Sequence, residues 1–182
     1  MSNSETNLSD TSQETGKPQK SDLPWIVLLV LVVVINIWFG VHSYSEAQKV
    51  SATKQNAEDL MAWMSEKGPL REKGEPVIAQ CDAPKELWAN CRDALAAPGG
   101  PFERIRNQLN SSGHVFADAC DRNDLHTLGA IVIEKGSPKP TDPTALAYAK
   151  MPADQNLAGK LPLKLSVCGR SFHTMNVGEV FF

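Results

Sequence analysis

The chain has 182 residues, with 18 Lys+Arg against 21 Asp+Glu and a formal net charge of −3. That near-balance lacks the basic footprint of a nucleic-acid binder, so nucleic acid is excluded as an expected partner. The length allows one modest domain plus accessories, large enough to bury a core without a metal or an obligatory oligomer.

Residues 1–22 are rich in Ser, Thr, Asn, Gln, Glu and Lys and contain a single Leu. Such a stretch buries too little apolar area to offset its ordering entropy, and a disordered polar tail is expected. The run from Leu23 to Val41 then carries no formal charge. At ~1.5 Å rise per residue it spans about 28 Å, the thickness of a bilayer's hydrocarbon core. Trp25 and Trp38 stand near its ends, where indole rings favour the interface. Pro24 falls in the first turn, where its missing N–H costs nothing. The run is apolar around its whole circumference, as lipid requires and a half-buried core helix does not. A cleaved signal peptide is the rival, with Ser43-Tyr44-Ser45 as a small-x-small site. The apolar core exceeds the ~7–15 residues of a signal, and the tail before it is not net positive, so an uncleaved signal-anchor over residues 23–42 is expected. Lys20 is the cation nearest the membrane, which with the cysteines below places the N-terminus in the cytoplasm and the rest of the chain outside it.

Asn36 is the strongly polar residue within the span. Two roles are open to it: a hydrogen bond to a partner helix in the membrane, or contact with water and headgroups at the interface. No Asp, Glu, Lys, Arg or His lies in the span, which argues against a proton-relay or ion-coupling helix.

Residues 43–67 lack Pro and Gly, and Val50, Ala57, Leu60, Met61 and Met64 recur at helical spacings. The membrane helix is expected to continue as an amphipathic stalk that ends at Gly68-Pro69. Its apolar stripe either packs on the chain's own domain or forms a short seam in which Val50, Ala57, Leu60 and Met64 face a partner. Residues 68–76 read as a hinge. A helix follows from Asp82 as cap, with Pro84 in its first turn and Leu87, Trp88, Cys91 and Leu95 on one face. The Pro98–Pro101 break stops it, and a second short helix is expected over Phe102 to Leu109.

The remaining segments read as strands. His114 to Cys120 is a weak candidate and Thr127 to Glu134 the strongest. Lys135 to Pro143 reads as a loop and Thr144 to Lys150 as a helical turn. In Leu161 to Cys168, apolar Leu161, Leu163, Leu165 and Val167 alternate with polar neighbours. Gly169-Arg170 suits a tight turn into a second arm over 171–182. That last arm ends in Glu179-Val-Phe-Phe182, read as a strand buried in the chain's own core in preference to a strand that adds to a partner's sheet. The expected fold class is α+β: a transmembrane helix, a stalk helix, then a small disulfide-bonded domain over 68–182 with two short helices and an antiparallel sheet.

Four cysteines, Cys81, Cys91, Cys120 and Cys168, all follow the apolar run. An even count in a membrane-anchored chain points to disulfides in an oxidising compartment. Of the three pairings, Cys81–Cys91 and Cys120–Cys168 are favoured. Zinc chemistry at His114, Cys120, His126 or Cys168 would want a close ligand pair, and a redox site a C-x-x-C, neither of which is present. Asp118, Asp121 and Asp124 lack the spacing and final Glu of a calcium loop and read as a polar turn. Ser171 and His173 share a strand face without a third member for a nucleophilic triad, and Gly99-Gly100 lacks the Lys-Ser/Thr of a phosphate loop. No catalytic, metal-binding or cofactor-binding residue is therefore assigned.

In layout, residues 24–182 resemble type IV pilins and pseudopilins, with a half-embedded N-terminal helix leading to a disulfide-stapled sheet. The resemblance is one of plan. The family's processing site before the apolar run and its glutamate near the start are absent, and Pro24 and the polar tail differ, so no residue roles are carried over. Taken together, the sequence implies a non-enzymatic accessory or structural subunit of a cell-envelope assembly (secretion, pilus or surface machinery). It would be anchored in the inner membrane and its partners would be the lipid bilayer and other envelope proteins, itself included. The alternative is an anchored periplasmic ligand-binding or sensor domain.

Overall fold

A computed structural model describes residues 23–82 and 86–182. The polar tail and Pro84 lie outside the described residues. Contacts divide the chain into two units, one ending at Ser43 and the other covering Tyr44–Phe182. Helix α1, Leu23–Glu72, contributes to both.

In the first unit α1 exposes all its large apolar side chains from Trp25 on, from 43% at Ile35 to 72% at Trp25. Among the described residues it is the one helix long and apolar enough to cross a membrane. A run dominated by Val, Leu and Ile is a modest helix former in water, but in hydrocarbon the helix satisfies every backbone group within one segment.

The second unit is a mixed α/β structure. Thr53, Ala57, Leu60 and Met64 form the buried stripe of α1, spaced four, three and four residues apart as one helix face requires. Two short helices follow, α2 over Ala79–Asp82 and α3 over Trp88–Ala96. The five strands are β1 Phe116–Ala117, β2 Ile131–Lys139, β3 Asp142–Lys150, β4 Pro162–Cys168 and β5 Thr174–Phe181. They form one sheet in the order β1-β2-β4-β5, with β3 also paired to β2. All pairs are antiparallel except β1 with β2. Leu163, Leu165 and Val167 of β4 are fully buried, as are Leu60 and Met64 of α1, and all belong to one core with Trp88, Cys91, Leu95, Ile131, Ile133 and Phe182.

The α+β reading, the alternation in β4 and the C-terminal hairpin agree with this architecture, while several boundaries do not. Helix α1 runs past Gly68-Pro69 to Glu72. The true stop is Gly74, at φ +75°, where Gly74 N–H donates to Arg71 O and Glu75 N–H to Leu70 O, a Schellman closure. Gly68 serves a different need. A Cβ there would lie 2.6 Å from the Phe181 carbonyl oxygen, so its absence lets the end of β5 approach the helix backbone.

The helix expected from Asp82 begins only at Trp88, because Leu87 is extended and pairs with Asn156. The Asp82 carboxylate still caps, but backwards: it accepts from the N–H groups of Val77 and Ile78. The helix expected over Phe102 to Leu109 is absent. Asn107, almost fully buried, takes over its backbone bonding. Its Nδ2 donates to the His114 and Leu128 carbonyls, and its Oδ1 accepts from Leu109 and Asn110. Side-chain bonding of this kind competes with the helix ladder.

Residues 135–150 differ most. The expected loop and helical turn are the two arms of a hairpin, β2 and β3, closed by Pro140 and Thr141. Pro138 is tolerated at the point where the register shifts, and Gly136 leaves room for the Tyr148 ring, whose Cε1 would sit 3.0 Å from a Cβ. Pairing to β2 outweighs the helix preference of Ala145, Leu146 and Ala147. In the weak candidate His114 to Cys120 only Phe116–Ala117 is strand, and Thr127 lies in a 3-10 turn before β2.

Candidate functional site

Asn36 Nδ2 donates to the Val32 carbonyl one turn back at 2.7 Å, so its donor is met within the helix. Of the two roles open to the stalk stripe, packing on the chain's own domain is the one its burial supports. Ala57, Leu60 and Met64 are fully buried in the chain's own core, Met61 Sδ abuts Gly178 of β5, and Val50 is half-buried. This face is consumed by the domain's own sheet, because a sheet with one apolar face needs a helix stripe to cover it.

The cysteines pair as Cys81–Cys91 and Cys120–Cys168, with Cα separations of 4.7 and 5.3 Å. The first joins α2 to α3. The second ties the irregular segment after β1 to the end of β4. Two residues beyond Cys168, Arg170 forms an ion pair with Glu46 of α1. The loop Gly169–His173 is longer than the two-residue turn expected, since Cys168 pairs with Thr174, and Phe172 within it holds φ at 55°. Ser171 and His173 thus lie on this loop and not on a strand.

The polar groups gather on the sheet's outer side. Arg92 Nη1 and Lys150 Nζ grip opposite oxygens of Asp118 at 3.1 and 3.0 Å, and Arg92 Nε also meets Asp93 at 3.0 Å. This cluster borders an open cleft of about 420 Å³, lined also by His114, Asp121 and Asp124. Asp121 and Asp124 accept from Asn123 and His126 backbone N–H groups, as a polar turn does. Next to it, register places Lys150, Glu134, Lys164 and Glu179 directly across from one another on β3, β2, β4 and β5. Opposite charges at cross-strand positions contribute roughly 0.2–1 kcal/mol each. Tyr148 lies beside this row; partial burial, then a hydrogen bond with Glu179, push its hydroxyl up to about 12.

Arg71 had no signal in the sequence beyond its place after an expected helix stop. Its guanidinium donates to the Leu157 carbonyl and, at 2.6 Å, to the Gly159 carbonyl, and it stacks 4.7 Å from the centre of the Phe182 ring. Burial lowers its pKa. Trp63 packs on the other side of the group, with ring centres 5.7 Å from Phe182 and 5.9 Å from Phe102. The end of α1, the end of β5 and the loop after β3 are locked together there.

Among the described residues no group of three His, Cys, Asp or Glu side chains is arranged to hold a metal ion. The polar clusters are ion pairs and turn caps. No protein-family model matches the chain, and searches of curated proteins and of solved structures likewise give no significant match.

Proposed function

We propose that this chain is a single-pass inner-membrane protein with its N-terminus in the cytoplasm and its disulfide-bonded domain outside, acting as an accessory or structural subunit of an envelope assembly through protein–protein contacts. The observation that carries this reading is the continuity of α1. A fully exposed apolar stretch leads, without a break in the helix, into the stripe that completes a two-disulfide domain. The same helix thus supplies residues to the anchor and to the domain's core. The outer sheet face, with its cross-strand charge row and the Arg92–Asp118–Lys150 cluster, is the surface offered to other envelope proteins.

Labelling of cysteines in intact cells, with and without prior reduction, tests the topology. All four are expected to resist a membrane-impermeant reagent until reduced. Free labelling only after permeabilisation, with no reductant, would invert the topology and remove the envelope reading. Cross-linking through cysteines introduced at Glu134 or Lys164, followed by mass spectrometry on native membranes, tests the partner: a reproducible envelope protein is expected, and a protein that stays uncross-linked and monomeric counts against an assembly role. The cleft beside His114 favours the second reading, a ligand-binding domain; a small molecule retained by the purified domain would support it instead.

A further inference from the structure

The two disulfides differ in what surrounds their sulfurs. Cys81 and Cys91 are both fully buried, so a reagent reaches neither while the core is closed. Cys168 is just as buried, but Cys120 is partly exposed. It lines an open cleft of about 260 Å³ together with Glu134, Lys150, Phe172 and His173. One cysteine of this bridge is thus partly exposed at a cleft in the native state and its partner is not. Access to a sulfur is a first requirement for attack by a thiolate.

The surroundings of the bridge have little regular structure and are held by side-chain contacts, among them the Asp118 ion pairs with Arg92 and Lys150 and the Thr127 hydroxyl bonded to the Asp121 backbone. Between Asn110 and Leu128 the regular structure is a two-residue strand and one 3-10 turn, and Cys120 is the covalent tie of this stretch to the sheet. On the other side, Cys168 opens the loop that carries Phe172 in the left-handed region and Arg170 in its ion pair with Glu46. A bulky residue at positive φ persists only where its surroundings hold it.

We propose that Cys120–Cys168 is a site of thiol–disulfide exchange with dithiol proteins of the domain's compartment, and that Cys81–Cys91 is a permanent structural staple. In the forward step a thiolate of the reduced dithiol attacks Cys120 Sγ from the cleft. A bond forms between those two sulfurs, the Cys120–Cys168 bond breaks, and Cys168 leaves as a thiolate that takes up a proton. The second thiolate of the dithiol then attacks its own sulfur in the mixed disulfide and releases Cys120, which is protonated in turn. The dithiol loses two electrons and becomes a disulfide, and the bridge gains the same two. Reduction removes the covalent tie between the 118–124 segment and the end of β4, leaving the Asp118 ion pairs and the Arg170–Glu46 pair as the contacts that hold the two sides. The inference deepens the proposed function by naming a class of partner, and it takes from that reading only the oxidising compartment.

The test uses the purified full chain, so that a failure of exchange is read apart from a failure of localisation. Timed exposure to dithiothreitol is quenched with an alkylating agent in denaturant, so that every reduced cysteine is labelled, and the modified cysteines are mapped by mass spectrometry. Cys120 and Cys168 are expected to be alkylated at least ~10-fold faster than Cys81 and Cys91, with far-UV circular dichroism unchanged. Urea below the unfolding transition is expected to leave that fast rate unaltered, because attack is on the native state, while it accelerates opening of Cys81–Cys91. Simultaneous opening of both bridges, earlier opening of Cys81–Cys91, or a Cys120–Cys168 rate that climbs with urea as steeply as the other would overturn the proposal.

Discussion

Helix α1 contains two stretches that obey different rules. From Trp25 to Val41 its apolar side chains point in every direction and all are exposed; from Thr53 to Met64 the buried ones form a single stripe among Lys, Glu, Gln and Asp. A helix surrounded by hydrocarbon has no polar side to keep wet, whereas one leaning on a sheet needs a single dry face. The two stretches thus differ in both composition and burial pattern, and the comparison can be broken by mutations that affect one stretch and spare the other.

The largest effect is expected at Leu60→Ala or Met64→Ala. Each removes a fully buried side chain and is expected to cost the domain about 2–5 kcal/mol in urea unfolding, with membrane association unchanged. Val33→Arg reverses the pattern. A charge at the centre of the span costs roughly 2.5–3.5 kcal/mol of insertion, so less protein is recovered in the membrane fraction while the domain's unfolding midpoint stays put. A stable domain after the first change, or full membrane recovery after the second, would dissolve the distinction.

The two glycines of the helix sharpen it. Gly40 has open space where a methyl would sit, while Gly68 would press one against the Phe181 carbonyl. Gly68→Ala is therefore expected to destabilise by about 1–3 kcal/mol, as overpacking does, and Gly40→Ala to leave domain stability unaltered. The smallest effect concerns pH. The Tyr148 hydroxyl is raised to about 12 in the folded chain, above the ordinary value near ~10. The folded state thus holds that proton more tightly. Its contribution is complete below about pH 10 and is lost as pH rises towards 12. Tyr148→Phe is expected to flatten the decline in thermal stability over that window.

Much of this was legible in the residues. An uncharged run of this length in Val, Leu and Ile reads as a long apolar helix, which α1 is, and the period-two alternation of Leu161, Leu163, Leu165 and Val167 admits little but a half-buried strand. The cysteine pairing followed from which elements each cysteine joins. What escaped was decided at a distance. Gly68-Pro69 reads as a helix stop, yet the glycine is needed by a strand more than a hundred residues later. Asn107 looks like an ordinary polar residue, and only the folded chain shows it donating to the His114 and Leu128 carbonyls. Gly136, Pro138, Pro140 and Pro143 spell a loop, and cross-strand partners turn most of that loop into β-ladder. The polar cluster at Arg92, Asp118 and Lys150 joins three segments with no shared motif, so no local pattern announces it.

The dependence of α1 on β5 also has a consequence in time. Met61 and Gly68 meet their partners at Gly178 and Phe181, roughly 100 residues further along. At a synthesis rate of ~5–20 residues per second, the stripe of Leu60 and Met64 emerges some ~5–20 s before the strand that covers it exists. For that interval the newborn chain presents an uncovered apolar ridge, open to misassociation until β5 arrives.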